Sequence, residues 1–334
     1  MRAYEIVSDG GIDALKLTDR PTPEPGHGEV LVKMHASSLN YRDLMTVRDP
    51  AGRNLPYPRI PNSDGAGEVL AVGAGVSRFK AGDRVAGCFF QRWEDGDITA
   101  DGMASALGGA LDGVLAAEVV LAERGLVHIP GHMSYAEAAT LPCAALTAWN
   151  GLVEKGGLMA GETVLLIGTG GVSIFGLQIA RMHGANAIII SSSDEKLEWA
   201  RAMGATGTVN YRETPDWQHA VLEQTGGRGV DHVLEVGGAG TLPRSIASTR
   251  IAGHLALIGV LTGGEINPAL IFRNSLRISG IYVGSRAMFE RMNRAFAAAE
   301  LRPALDKSFA FADARAAFHH MQAAGHFGKI VIEF

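Results

Sequence analysis

The run Glu162-Thr-Val-Leu-Leu-Ile-Gly168-Thr-Gly170-Gly171-Val172-Ser173-Ile-Phe-Gly176-Leu-Gln-Ile-Ala constrains this chain more than any other stretch. Five strand-like residues, Thr163 to Ile167, run into a glycine cluster. The cluster opens a helix, because Val172, Phe175, Ile179 and Met182 recur at helical spacing. Gly168 permits a sharp turn and Gly170 permits close approach of a backbone to a diphosphate. The helix N-terminus at Gly171 and Val172 offers unpaired N–H groups and a positive dipole end. Ser173 stands where the G-x-G-x-x-G pattern has its third glycine, so the strict motif fails by one residue.

The rest of the chain supplies the context that this motif requires. From residue 1 to about 130 the pattern is β-rich. Glu29–Ala36 alternates, Gly67–Val72 and Asp83–Ala86 read as half-buried strands, and Pro21–Gly26 and Lys80–Asp83 are turns. Gln91–Gly113 is a polar, glycine-rich surface loop. Ser134 and Glu137 have capping-box spacing and begin a helical run. Beyond the glycine cluster, strands and helices alternate through six strands, which implies a parallel sheet and one complete dinucleotide-binding domain. Two helices, an extended piece and a closing strand at Lys329–Phe334 follow.

Composition limits the partners. With 334 residues, 47% of them hydrophobic, the chain suffices for two domains with cores of their own. A net charge of −5 with both signs interspersed argues against nucleic acid and against an anionic membrane surface. The start Met1-Arg-Ala-Tyr-Glu enters a strand pattern rather than a signal peptide. Cys88 and Cys143 alone fit a reducing, cytoplasmic setting and exclude a four-thiolate zinc site.

Several segments carry a resemblance over essentially the whole chain. They are Ser38-Leu-Asn40-Tyr41-Arg-Asp43, Ile60-Pro-Asn-Ser-Asp64-Gly-Ala-Gly67, Phe79-Lys-Ala-Gly-Asp83-Arg-Val, Leu141-Pro-Cys143-Ala-Ala-Leu-Thr147, the glycine cluster, and Gly325-His-Phe-Gly-Lys329. The chain resembles the medium-chain dehydrogenase/reductase superfamily. That resemblance implies an α/β fold, with a doubly wound Rossmann sheet at 129–284 and a β-rich GroES-like catalytic domain from 1–128 and 285–334. Zinc-dependent alcohol dehydrogenases of the superfamily have a cysteine where this chain has Asn40, and Gly-His-Glu where it has Asn62-Ser63-Asp64. Only Cys143 matches a ligand position, and one thiolate with an amide and a hydroxyl is a poor set for catalytic zinc. The chain is therefore similar to the zinc-free, quinone-oxidoreductase-like branch, with no metal ligands expected.

Site residues follow from the resemblance together with side-chain chemistry. Strand two of the nucleotide fold ends at Ser191 without the acid that binds a 2′-hydroxyl. Ser191, Ser192, Ser193 and Lys196 suit a 2′-phosphate, which favours NADP over NAD, although the serines also suit helix capping. The resemblance places Tyr211 near the adenosine and Lys329 near the pyrophosphate. It places Cys143, Thr147 and Gly259-Val260-Leu261 around the nicotinamide; Cys143 also reads as a small buried hydrophobe.

Asn40 and Asp43, with Tyr41 and Tyr57, are the candidate catalytic residues. Asn40 can donate and accept, Asn40 or Tyr41 could stabilise an enolate, and Tyr57 or water could supply a proton. Without a metal to polarise a carbonyl, conjugated substrates are the easier ones. The leading expectation is NADPH-dependent reduction of a quinone or of the C=C bond of an α,β-unsaturated carbonyl. Alcohol oxidation or ketone reduction, with Asp43 or His35 in a proton path, is one alternative; a non-catalytic, crystallin-like NADPH-binding protein is the other. Apolar segments at Asn267–Phe272 and Leu276–Tyr282 are read as extended and near a sheet edge that pairs two copies into a homodimer.

Overall fold

The computed structural model describes every residue from 1 to 334 except Val260. The alternating N-terminal segments become β1 (Arg2–Glu5), β2 (Lys16–Asp19), β3 (Glu29–Ser38), β4 (Asp64–Val72), β5 (Arg84–Gly87), β6 (Glu118–Ala122) and β7 (Leu126–His128). The α/β stretch provides β8 (Thr163–Ile167), β9 (Asn186–Ser191), β10 (Gly207–Asn210), β11 (Val230–Glu235), β12 (Thr249–Leu257) and β13 (Arg277–Gly280). The C-terminal region adds β14 (Leu305–Ala310) and β15 (Lys329–Glu333). The chain folds as two compact units. Met1–Leu146 with Gly284–Phe334 forms the first, and Thr147–Val283 the second.

In the first unit a sheet runs β14-β15-β3-β4-β5-β7, with β6 also paired to β3. Val30, Val32 and Met34 of β3 are buried with Leu44, Val85, Leu115, Phe318 and Ile330 in one core. The register matters for the site. Antiparallel pairing sets Val331 opposite Ser38 and Ser38 opposite Asp64. Continued past the end of β3, that register brings Lys329 level with Asn40. Three strands thus deliver Lys329, Asn40 and Asp64 to one end of the sheet.

The second unit is a six-stranded, all-parallel sheet of order β10-β9-β8-β11-β12-β13, the doubly wound order of dinucleotide-binding folds. β8 and β9 are near-continuous buried apolar runs, as a sheet covered on both faces requires, and β11 is buried along its length while carrying Asp231, His232 and Glu235. No helix among the described residues is long and apolar enough to cross a membrane.

Four details depart from the sequence reading. The supposedly all-β stretch contains a helix, Tyr41–Arg48, and the Gln91–Gly113 loop contains a short one, Ala100–Met103. Asn267–Phe272 is not extended: Pro268 caps a helical turn at Ala269–Arg273. The helical run from Ser134 to Leu146 groups with the first unit rather than the second. It is tied there by a bond from Ser38 Oγ to Ala139 O and by Arg302 on the Glu137 carboxylate.

The glycine cluster shows how helix Gly171–Met182 can seat closely on the sheet without a third motif glycine. Ser173 is buried, and its hydroxyl donates to Ile167 O at 2.7 Å, so the extra oxygen is satisfied within the turn. The tight approach falls one turn later, at Gly176, where a Cβ would lie 2.6 Å from Leu234 Cδ1 and 2.7 Å from Leu166 Cδ2. Gly176→Val should therefore destabilise the protein by about 1–3 kcal/mol through overpacking. Gly170→Ala, whose Cβ meets nothing within 4 Å, should stay within about 0.5 kcal/mol of the parent. Denaturation midpoints of the two variants check the contrast.

Candidate active site

The Asn40 region is built on a helix start. Asp43, at the third helical position, accepts the Asn40 N–H at 2.9 Å, the returning half of a capping box. Asn40 and Asp43 together have the geometry of a capping box. The Asn40 amide also faces the end of the sheet, where Lys329 Nζ donates to Asn40 Oδ1 at 2.6 Å and to Leu39 O at 2.6 Å. Asn40 Nδ2 donates to Ser63 Oγ at 3.4 Å. Ser63 Oγ donates onward to Asp64 Oδ1 at 2.7 Å, and the Cys143 N–H donates to Asp64 Oδ2 at 2.9 Å. Lys329 is 3% exposed, Asn40 8% and Asp64 0%.

Burial raises the pKa of Asp64, opposed chiefly by the Lys329 charge and by hydrogen bonds from Ser63 and Asn40; Asp43 pushes it further up. Burial lowers that of Lys329, opposed by Asp64, Cys143 and Asp43. The half-buried Cys143 thiol is pushed up by burial and by the Asp64 charge, so it stays protonated and unreactive at neutral pH. Asp43 is fully engaged, with Arg42 Nη1 at 3.1 Å from its other oxygen. Arg42 is itself held over the Phe89 ring at 4.8 Å.

The two tyrosines stand apart from this buried cluster. Tyr41 and Tyr57 are surface side chains. The Tyr57 phenol is raised by partial desolvation and by Asp9 and Asp49, so it is a protonated donor at neutral pH. His35 stacks on Tyr135 at 4.4 Å, and burial holds its pKa down.

In the second unit, Gly168 has φ +76°, a left-handed turn that favours glycine, and Gly170 precedes helix Gly171–Met182 in extended conformation. The first intrahelical bond is Ile174 N–H to Gly170 O, so the N–H groups of Gly171, Val172 and Ser173 have no intrahelical partner. With open space beside Gly170, this cradle fits a dinucleotide diphosphate.

At the tip of β9 the serines do what capping predicts. Ser193 Oγ accepts the Lys196 N–H at 3.4 Å, and Ser191 Oγ accepts the Ser193 N–H at 3.4 Å. Asp194 is taken up by Asn210 Nδ2 at 2.8 Å. Ser192 is half-buried and Tyr211 exposed beside them, the Tyr211 N–H donating to Ser191 O at 3.0 Å. Gly259 approaches Val236 O so closely that a Cβ would sit 1.7 Å away, and Leu261 is exposed. Val260 lies outside the described residues. Thr147 is buried at the start of this unit.

The sequence reading missed Ser63, Asp64 and Glu235 as organising groups. Glu235, fully buried at the end of β11, accepts Gly237 N–H at 2.7 Å, Gly238 N–H at 3.1 Å, Thr241 Oγ1 at 2.6 Å and the Ser245 hydroxyl.

Family comparison agrees with this geometry. Residues 26–131 match the alcohol dehydrogenase GroES-like domain, and residues 171–298 match the zinc-binding dehydrogenase family. A zinc-type alcohol dehydrogenase-like protein of Schizosaccharomyces pombe is 43% identical, covering 98% of each chain. The chain belongs to the medium-chain dehydrogenase/reductase superfamily. The enzyme is an NAD(P)-dependent oxidoreductase.

A structure from Sinorhizobium meliloti described as an alcohol dehydrogenase is 42% identical with a TM-score of 0.92, covering 99% of this chain and 98% of its own. A structure described as an NAD-dependent alcohol dehydrogenase is 33% identical with a TM-score of 0.91, covering 100% of both. More distant members of the superfamily include the quinone oxidoreductase of Rattus norvegicus (29% over 84% of this chain and 80% of its own) and a crotonyl-CoA reductase of Streptomyces avermitilis (29%, 95% and 81%). Mycobacterial Rv1454c, solved with NADPH, is 27% identical with a TM-score of 0.83 over 100% of both chains.

The family description raises zinc, and the donor set here does not fit it. Asn40 Oδ1 accepts an ammonium, each Asp64 oxygen already accepts an O–H or N–H donor, and Cys143 offers a single thiol. Zinc needs deprotonated, accepting ligands that converge on one point. A buried ion cluster of this kind should respond asymmetrically to substitution. Lys329→Met strands a buried carboxylate and should cost about 3–5 kcal/mol. Adding Asp64→Asn removes that stranded charge and should recover most of the loss in urea denaturation.

Proposed function

We propose that the enzyme uses NADPH to reduce a quinone or the C=C bond of an α,β-unsaturated carbonyl, without zinc. The observation that carries this reading is the Lys329 ammonium seated on Asn40 at a position where zinc-dependent relatives have a ligand. A bound nicotinamide supplies the hydride. In an enone the hydride adds to the carbon β to the carbonyl, the π electrons pass to the carbonyl oxygen, and a proton from solvent or Tyr57 completes the saturated product. Hydrogen-bond donors suffice here, because the negative charge arrives on an already conjugated oxygen. Asn40 offers amide N–H groups to that oxygen, and Tyr41, being exposed, offers a phenol.

The relatives named quinone oxidoreductase and crotonyl-CoA reductase support the substrate class, and the relative solved with NADPH supports the cofactor. The missing acid at the tip of β9 and the engagement of Asp194 by Asn210 also favour a 2′-phosphate over a bare ribose. Ketone reduction is the second reading, supported by the 33%-identical structure described as an alcohol dehydrogenase.

Initial rates decide between them. Enones and 1,4-quinones with NADPH should turn over at rates unchanged by prior dialysis against a chelator, and saturated alcohols with NADP should give little. Stoichiometric zinc together with alcohol oxidation lost on chelation would overturn the reading.

We also propose a homodimer. Among the described residues β13 pairs only with β12 and so ends its sheet, and Phe272 and Tyr282 beside it are exposed. Light scattering should give a mass near twice the chain's 35.2 kDa.

A further inference from the structure

The reduction proposed above needs an oriented hydrogen-bond donor where a metal is missing, and an amide is an ambiguous one. Rotation by half a turn about the last bond of an asparagine exchanges a donor for an acceptor at the same place. A carbonyl oxygen turned toward the substrate's developing anion would repel it. Something must therefore fix the Asn40 amide.

We infer that Lys329 is the positioning residue of this enzyme: its ammonium pins the Asn40 carbonyl oxygen inward, so that Asn40 presents only N–H groups to the reacting oxygen. Three observations carry the inference. Lys329 Nζ lies 2.6 Å from Asn40 Oδ1 and 2.6 Å from Leu39 O, so the amine is fixed by two acceptors of consecutive residues. The amine carries only donors, so a flipped Asn40 would set N–H₂ against an ammonium inside a buried site. The opposite end of the amide donates to Ser63 Oγ at 3.4 Å, a long bond that a better acceptor can displace.

The ammonium also polarises the amide it binds, which strengthens the N–H donors at the far end. The titratable groups around Lys329 are Asp64, Asp43 and the Cys143 thiol, and Arg42 sits on Asp43. None of the three neighbours of Lys329 is a cation that could replace it. The sequence resemblance implies that Lys329 lies near the cofactor pyrophosphate; two of its three N–H donors go to Leu39 and Asn40.

The test uses the full-length enzyme in the Asp64→Asn background, which removes the stranded carboxylate and so separates folding from function. Asp64→Asn/Lys329→Met should fold and bind NADPH with the affinity of Asp64→Asn alone, read by fluorescence titration. Its kcat should fall by about 10- to 100-fold, as for the loss of a supporting partner of a reactive group, with KM changed less than about threefold. Adding Asn40→Ala should cost little more, because both substitutions remove the same oriented donor.

Three results would overturn the inference: kcat retained in the double variant, which makes Lys329 merely structural; NADPH affinity lost with kcat retained, which makes it a cofactor anchor; or full additivity with Asn40→Ala. The comparison runs on whichever substrate class the parent enzyme turns over. If that class is saturated alcohols, the reductase reading fails while the role of Lys329 is still decided.

Discussion

A lysine ammonium enclosed within a protein must be met by acceptors and a counter-charge, because removing it from water costs several kcal/mol. In the first unit that demand is met by residues far apart in sequence. The acceptors, Leu39 O and Asn40 Oδ1, come from the end of β3, and the counter-charge, Asp64, from the start of β4. The register of three adjacent strands and the start of helix Tyr41–Arg48 are thereby coupled to one cation. A shift of one residue in any of them would turn a partner away from it.

The two units solve a similar problem in the same way. Asp64 at the start of β4 and Glu235 at the end of β11 are both buried acids whose two oxygens are consumed by neighbours. Asp64 holds the Cys143 backbone and the Ser63 hydroxyl; Glu235 holds the Gly237–Thr241 turn and Ser245. Each holds neighbouring backbone in place.

Much of the architecture is legible in the sequence because it rests on local patterns. The run from Thr163 into the glycines, the βα alternation after it and the β3 alternation are all short-range signals. The helix Tyr41–Arg48 escapes a sequence reading although Asn40 and Asp43 have capping-box spacing, because the same four residues also read as a binding motif. Asn267–Phe272 reads as extended from its apolar content, whereas Pro268 starts a helical turn. At the site, Asn40 and the glycine cluster can be picked out from sequence. The direction of Lys329 cannot, since its partner is 289 residues away and only the strand register brings them level. Ser173 reads as a defect in a motif; its hydroxyl bond to Ile167 and the contact at Gly176 show the tight packing displaced by one turn.

The ammonium on Asn40 has a consequence for how such a chain can change over generations. Replacing Asn40 by a thiol ligand first would take away an acceptor from a trapped cation, and discarding Lys329 first would leave Asp64 uncompensated. Each single step away from this arrangement passes through a less stable protein. Asn40, Asp64 and Lys329 are thus tied by epistasis, so that they change together rather than one at a time.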